Sequence, residues 1–117
     1  MIIFDDMASY LKDKSTLQLF KELIFNRRHL HTSIYFLNQT FFSVPKELRR
    51  LFSNVFIFKV SKNEMRNIFD ELVADPYIKT MMPTISKVVY DKPFNYLFLN
   101  TDSQKFYKKF DRIDFNE

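Results

Sequence analysis

Four short, continuous apolar runs constrain most strongly how this chain of 117 residues folds. Each run is rich in β-branched or aromatic side chains, and they lie at residues 1–4, 34–37, 55–58 and 96–99. Such runs predict strands, and unbroken apolar strands are typical of a sheet covered on both faces. Helical patterns separate them, at residues 15–27, 44–52, 61–75 and 77–90. This alternation predicts an α/β fold with a mostly parallel sheet and helices on its faces.

Local signals place the ends of several elements. Ser15 or Thr16 is a candidate cap for the first helix. Ser61 and Glu64 have the spacing of a capping box, and Pro83 predicts a kink or a restart in the last helix. The full prediction comprises strands at 1–6, 33–39 and 54–60, helices at 61–75 and 77–90, and a C-terminal β-hairpin at 95–110.

Composition excludes several classes of site. The chain has no glycine, so it holds neither of the glycine-rich loops that cradle phosphates. It has no cysteine, which excludes disulfides, thiolate zinc sites and cysteine nucleophiles, and two histidines are too few for a metal site without further ligands. The longest apolar runs are too short to cross a bilayer. A net charge of +4 is compatible with nucleic acid and equally with a plain globular domain.

Polar side chains follow the first two predicted strands. Asp5 and Asp6 end the first, and Asn38 and Gln39 end the second. A buried strand holds such side chains at its carboxyl end, where open α/β sheets bind ligands. Two adjacent acids there suit Mg²⁺ binding and the orientation of an attacking water, as in a Walker B strand. Taken alone, the acids are equally typical of a turn or a helix cap.

The order of these features resembles the DNA-packaging ATPases of large nucleocytoplasmic DNA viruses, the poxvirus-type branch of the FtsK/HerA P-loop superfamily. The resemblance extends from Ile2 to Leu72. It is carried by the strand ending in Asp5-Asp6, Arg28-His29, and the segments 33–39, 45–49 and 55–59.

The resemblance implies a role for each matching residue. Asp5 becomes the acid that binds Mg²⁺ through water, and Asp6 the catalytic acid that orients or deprotonates water. Gln39 becomes the sensor of the terminal phosphate, and Arg28 the arginine finger offered to a neighbouring subunit. Asp6 stands where most relatives of FtsK have Glu, so its reach is one methylene shorter.

The implied fold is part of a RecA-like domain. It lacks the Walker A strand, which in this superfamily lies between the sensor strand and the strand that follows it. The abrupt start on an apolar strand also leads us to expect that a preceding half is missing. We therefore expect exposed apolar surface, and neither tight ATP binding nor hydrolysis by these 117 residues alone.

The resulting functional expectation is ATP-driven packaging of viral DNA into a capsid, with this chain as the C-terminal half of the ATPase. The implied cofactor is Mg²⁺, with ATP as substrate. The implied partners are double-stranded DNA, other ATPase subunits in a homo-oligomeric ring and capsid proteins, with no membrane. The expected location is the viral factory in the host cytoplasm or the virion.

Two alternatives to this expectation stay open. The chain is a non-catalytic module that docks on DNA or on another ATPase subunit, or it is an ordinary α/β domain whose acids and amide are coincidental. Near the C-terminus, basic residues alternate with aromatic ones, at Lys105, Phe106, Tyr107, Lys108, Lys109, Phe110 and Arg112. That pattern is typical of a DNA-contacting surface, but lysines that protect the edge of a sheet give the same pattern, and we favour the second interpretation.

Overall fold

The structure is a computed structural model that describes residues 1–7, 9–27 and 29–115. Its residues form two compact units, Met1–Phe52 and Ser53–Glu117. Each unit has its own sheet, with two strands in the first and four in the second. None of the helices in the described ranges has the length and apolar character needed to cross a membrane.

The first unit is built on a pair of parallel strands. They pair in register from Ile2 with Ile34 to Asp5 with Leu37. Its elements are β1 (Ile2–Asp5), α1 (Lys14–Phe25), β2 (Ile34–Leu37) and α2 (Lys46–Arg49), with 3₁₀ turns at Tyr10–Lys12 and Phe41–Ser43.

Aromatic rings fix the two parallel strands to the core of the first unit. Phe4 of β1 stacks on Phe36 of β2, with ring centroids 5.2 Å apart. Phe20 of α1 contacts both rings, at 4.6 Å from Phe4 and 5.7 Å from Phe36. These rings pack on a buried cluster of Leu11, Phe20, Ile24, Val44 and Leu48. Since interiors are close-packed, this cluster holds the strand ends in one position.

The second unit is an antiparallel sheet with three helices. The strands follow the order β3-β4-β5-β6, and every neighbouring pair is antiparallel. Its elements are β3 (Asn54–Phe58), α3 (Lys62–Leu72), α4 (Pro76–Thr80), α5 (Met82–Val89), β4 (Tyr96–Asn100), β5 (Lys105–Lys108) and β6 (Asp111–Ile113).

Side-chain caps explain where several helices begin. Ser61 accepts a 3.2 Å hydrogen bond from the backbone N–H of Glu64, as its capping-box spacing predicts. Pro83 lies in the first turn of α5, which begins at Met82 after α4 has ended, so the chain restarts there. The cap of α1, in contrast, is Asp13 and not Ser15 or Thr16. Its carboxylate accepts bonds from both hydroxyls and from the N–H of Thr16, and these bonds lower the pKa of Asp13.

The α/β class and the C-terminal hairpin are confirmed. Among the described strands, parallel pairing is confined to β1 and β2, because β3 pairs with β4 in the antiparallel direction. The strands are also open on one face, contrary to what their unbroken apolar runs suggest. Ile3, Tyr35 and Phe58 are 53%, 45% and 55% exposed, since every second side chain points away from the packed side.

Candidate functional site

The parallel register brings the two polar strand ends together. Asp5 lies opposite Leu37, so Asp6 and the Asn38-Gln39 pair follow at the same edge of the sheet. The N–H of Asp6 donates a 3.0 Å hydrogen bond to the carbonyl of Leu37, which joins the chains one residue beyond the paired strands. Carboxylates and amides therefore lie at the carboxyl ends of parallel strands, where open α/β sheets bind ligands.

Asp6 has a left-handed backbone with a φ of 54°. Side chains with a Cβ pay a steric cost in this region, and Asp and Asn tolerate it better than most. Residues held in such conformations cluster at active sites and ligand clamps. The chain therefore turns away from the direction of β1 at Asp6, the second of the two acids.

An open cleft of about 370 Å³ lies at this edge, lined by Asp5, Asp6, Leu37, Asn38 and Gln39. Both acids and Gln39 are exposed, and Asn38 is half-buried. The cleft therefore presents carboxylate and amide oxygens directly to solvent.

The donor set fits Mg²⁺ bound together with a polyphosphate. The described residues contain no cluster of three or more His, Cys, Asp or Glu side chains suited to a metal ion. Mg²⁺ keeps several waters and uses only one or two carboxylates plus substrate phosphates in nucleotide sites, so a closed protein cage is not needed. Asp5 and Asp6, which both line the cleft, could supply those carboxylates.

The predicted site residues are partly brought together. Asp5, Asp6 and Gln39 line one cleft, whereas Arg28 lies outside the described residues. Its neighbour Arg27 is engaged at the end of α1, where one guanidinium N–H donates a 2.8 Å bond to the carbonyl of Ile24. Such a bond satisfies one of the last carbonyls of the helix, which gives Arg27 a structural role.

Asn38 is the site residue that our sequence assignment omitted. It lines the cleft beside Gln39, and the exposed side chain of Leu37 completes the wall. The signal was present, since Asn38 and Gln39 form a polar pair directly after an apolar run. The sequence alone did not indicate that both amides line the cleft.

Comparison with protein families decides the relationship. A family model described as "Poxvirus A32 protein" matches residues 1–108. The chain belongs to the poxvirus A32 protein family. The match includes the complete acid and amide edge and continues to the end of β5, beyond the segment ending at Leu72 that carried the resemblance in sequence. The poxvirus A32 family is associated with the ATPase of viral DNA packaging.

Two further comparisons gave no relatives. No curated protein sequence matches the chain, and no solved structure does so either.

Proposed function

We propose that this chain is part of an ATP-hydrolysing motor that packages viral DNA into the capsid, and that it supplies the Walker B acids, the sensor and the arginine finger. The observation that carries this proposal is the shared edge at which Asp5 and Asp6 meet Asn38 and Gln39. Membership of the poxvirus A32 family supports the packaging role.

The two acids have different roles in this proposal. Asp5 would hold Mg²⁺ through water, and the ion would supply charge neutralisation at the phosphates of ATP. Asp6 accepts a hydrogen bond from the attacking water and holds it in line with the terminal phosphorus. General-base assistance of this kind typically contributes 10²–10⁴-fold to a rate.

The amides act from the end of the neighbouring strand, β2. Gln39 donates a hydrogen bond from its amide to the terminal phosphate or polarises the water. Asn38 lines the same cleft and is half-buried. Preorganised donors of this kind stabilise charge that develops in the transition state without reorganising at that moment.

The phosphate cradle comes from outside these 117 residues. The chain has no glycine, and a loop that approaches phosphates through main-chain N–H groups needs residues without a Cβ. In this proposal that outside part also supplies the Walker A strand. Within the described residues, β2 and β3 belong to separate sheets.

The remaining partners follow from the packaging role. Arg28 acts on the γ-phosphate of a neighbouring subunit in a homo-oligomeric ring. Double-stranded DNA passes through the ring and is bound mainly through its phosphates, and the motor contacts capsid proteins. The work takes place in the viral factory of the host cytoplasm or at the virion.

The deciding experiment uses the motor purified from infected cells through a tag on this chain. Asp6→Asn keeps the size of the side chain and tolerates the left-handed backbone, but removes the negative charge. We expect binding of a fluorescent ATP analogue to be retained and Mg²⁺-dependent hydrolysis to fall by about 10²–10⁴-fold. The particles are also expected to contain little DNA.

The matched control is Asp102→Asn, the same chemical change at an exposed turn residue of the second unit. It is expected to leave both hydrolysis and packaged DNA at the wild-type level. If the Asp6→Asn motor hydrolyses ATP at the wild-type rate, the catalytic assignment is wrong. If the purified motor has no ATPase activity even with wild-type Asp6, the chain is a non-catalytic binding module.

A further inference from the structure

The sheet of the second unit has two faces of different chemistry. The face packed against the helices is mostly aliphatic, with Val55, Ile57, Leu97 and Leu99 beside the fully buried Phe106. Phe69 of α3 lies on this side, with its ring 6.2 Å from that of Phe106. The opposite side chains therefore point away from these helices.

That opposite side, which we call the aromatic face, comprises Phe56, Phe58, Tyr96, Phe98, Tyr107 and Phe110. The register aligns Phe56 with Phe98 and Phe98 with Tyr107 across three strands. Their ring centroids are 4.6 and 5.2 Å apart. Phe58 and Tyr96 form a second row, 5.5 Å apart, and Phe110 lies 6.0 Å from Tyr96.

The aromatic face is exposed. Phe56, Phe58 and Phe110 are 43%, 55% and 75% exposed, and the other three rings are half-buried by their neighbours. A contiguous apolar patch of this kind marks a binding surface more often than scattered single residues do.

Amide and cationic side chains lie at the margin of the aromatic face. Asn54 and Asn100 lie opposite each other and are joined by a 2.9 Å hydrogen bond, and Lys105 is the register partner of Asn100. Arg112 is the partner of Tyr107 at the other end of the aromatic row. Arg112 also forms a 3.5 Å ion pair with Asp114, but both side chains are more than half exposed, so this pair is weak.

Composition favours one kind of occupant. The outward strand positions, all within the described residues, hold aromatic, amide and cationic side chains and no aliphatic or acidic one. A helix packed on a sheet is matched by aliphatic side chains, as on the covered face of this same sheet. Flat rings with amides and cations at their margin instead match flat bases and a phosphate backbone.

We propose that the aromatic face binds single-stranded nucleic acid, with bases stacked on the rings of Phe56, Phe58 and Phe98 and phosphates contacted by Lys105 and Arg112. Binding at the aromatic face goes beyond the proposed packaging function and does not depend on ATP. The C-terminal basic and aromatic segment contributes only in part, since Phe106 is in the core and Lys108 pairs with Asp91.

The test measures fluorescence anisotropy of labelled oligonucleotides with the full chain. The probes are a thymidine dodecamer, a uridine dodecamer and a DNA duplex of equal length. We expect the single strands to bind more tightly than the duplex, and the ratio of the first two to show whether DNA or RNA is preferred. Tighter binding of the duplex overturns the proposal.

The key variant is Phe58→Ala, with Phe58→Leu as a second variant that keeps apolar area without a ring. Because stacking contributes to affinity ring by ring, Phe58→Ala is expected to weaken single-strand binding by roughly 5- to 100-fold. Phe58→Leu is expected to lose nearly as much. The control is Phe94→Ala, at a loop residue that is 89% exposed and lies outside the aromatic face. Circular dichroism of each variant verifies the fold.

Salt dependence tests the phosphate contacts. Replacing Lys105 and Arg112 with Gln is expected to reduce the slope of log K against log salt by about 0.7 for each lost contact. Unchanged affinity of Phe58→Ala for the thymidine dodecamer overturns the proposal. So does loss of self-association by that variant in sedimentation without any effect on oligonucleotides, since the aromatic face is then a protein interface.

Discussion

The N–H of Asp6 and the carbonyl of Leu37 form a 3.0 Å hydrogen bond that joins the two polar strand ends of the first unit. Leu37 directly precedes Asn38, and Asp6 directly follows Asp5. This single backbone bond therefore holds the segment with the two acids next to the segment with the two amides. The backbone turns into the left-handed region at Asp6 itself, where φ is 54°, directly after this bond. The geometry of the candidate site is therefore set by the backbone as well as by side chains.

From the left-handed turn at Asp6 we predict that the Ala variant at this position is less stable than the Asn and Gly variants. Asp6→Ala is expected to lower the free energy of unfolding by about 1 kcal/mol, because Ala pays the full steric cost of positive φ. Asp6→Asn and Asp6→Gly are expected to remain within about 0.5 kcal/mol of the parent, since Asn and Gly accept this region. Urea unfolding measures all three.

The control for this series is Asp102→Ala, since Asp102 is not among the residues of positive φ. It is expected to change the unfolding free energy by less than about 0.5 kcal/mol. Equal stability of the Ala and Gly variants at position 6 would contradict a strained backbone there.

The packing of Phe36 indicates how much the stability of the first unit depends on the core below the candidate site. Its ring contacts those of Phe4, Phe20 and Phe52, at 5.2, 5.7 and 5.4 Å. Phe36→Ala is expected to destabilise the chain by roughly 2–3 kcal/mol, at or below the range for fully buried phenylalanines because this ring is half-buried. Tyr35→Ala, one residue away on the exposed face, is the control and is expected to cost less than about 1 kcal/mol in urea unfolding.

Periodicity and capping rules indicated where most strands and helices lie. They were less informative about which strands pair and in which direction. The box at Ser61 and Glu64 and the restart at Pro83 are local, because each depends on residues within one turn. The partner of β3 is not local, since residues 59–95 separate it from β4. An unbroken run such as Val55-Phe56-Ile57-Phe58 also hides an alternation of aliphatic and aromatic side chains that becomes visible only when the two faces differ.

The candidate site was also predictable only in part. Asp5, Asp6 and Gln39 follow apolar runs, and parallel pairing then requires them to share an edge. The left-handed turn at Asp6 was not predictable, because glycine is the usual signal for such a turn and this chain has none. The roles of Mg²⁺, ATP and Arg28 stay predictions.

Gln104 is a structural residue that no sequence motif indicated. Its side-chain amide donates to the carbonyls of Leu72 and Thr101, at 3.0 and 2.8 Å, and its oxygen accepts from the N–H of Ala74 at 3.0 Å. It thereby ties the end of α3 to the β4–β5 turn. Gln104→Ala is expected to cost roughly 2–3 kcal/mol in urea unfolding, at about 1 kcal/mol for each bond.

Gln18→Ala is the matched control for Gln104. Gln18 lies exposed on α1, where its amide makes one long bond of 3.4 Å to Glu22. A change of less than about 0.5 kcal/mol is expected there. A similarly small effect at position 104 would mean that α3 ends without help from this side chain.

Asp91 predicts the acid sensitivity of the second unit. The ammonium of Lys108, 3.0 Å from its carboxylate, holds the pKa of Asp91 below the ordinary value of 3.8, and Asn95 adds a 2.8 Å hydrogen bond. Because the folded pKa is lowered, this contribution to stability is present above pH 3.8 and is lost as the pH falls through the folded pKa. In a carbon-detected NMR titration, the midpoint of Asp91 is expected below 3.8 and is expected to rise in Lys108→Gln. A midpoint that does not respond to the loss of Lys108 would show that the ion pair contributes nothing in solution.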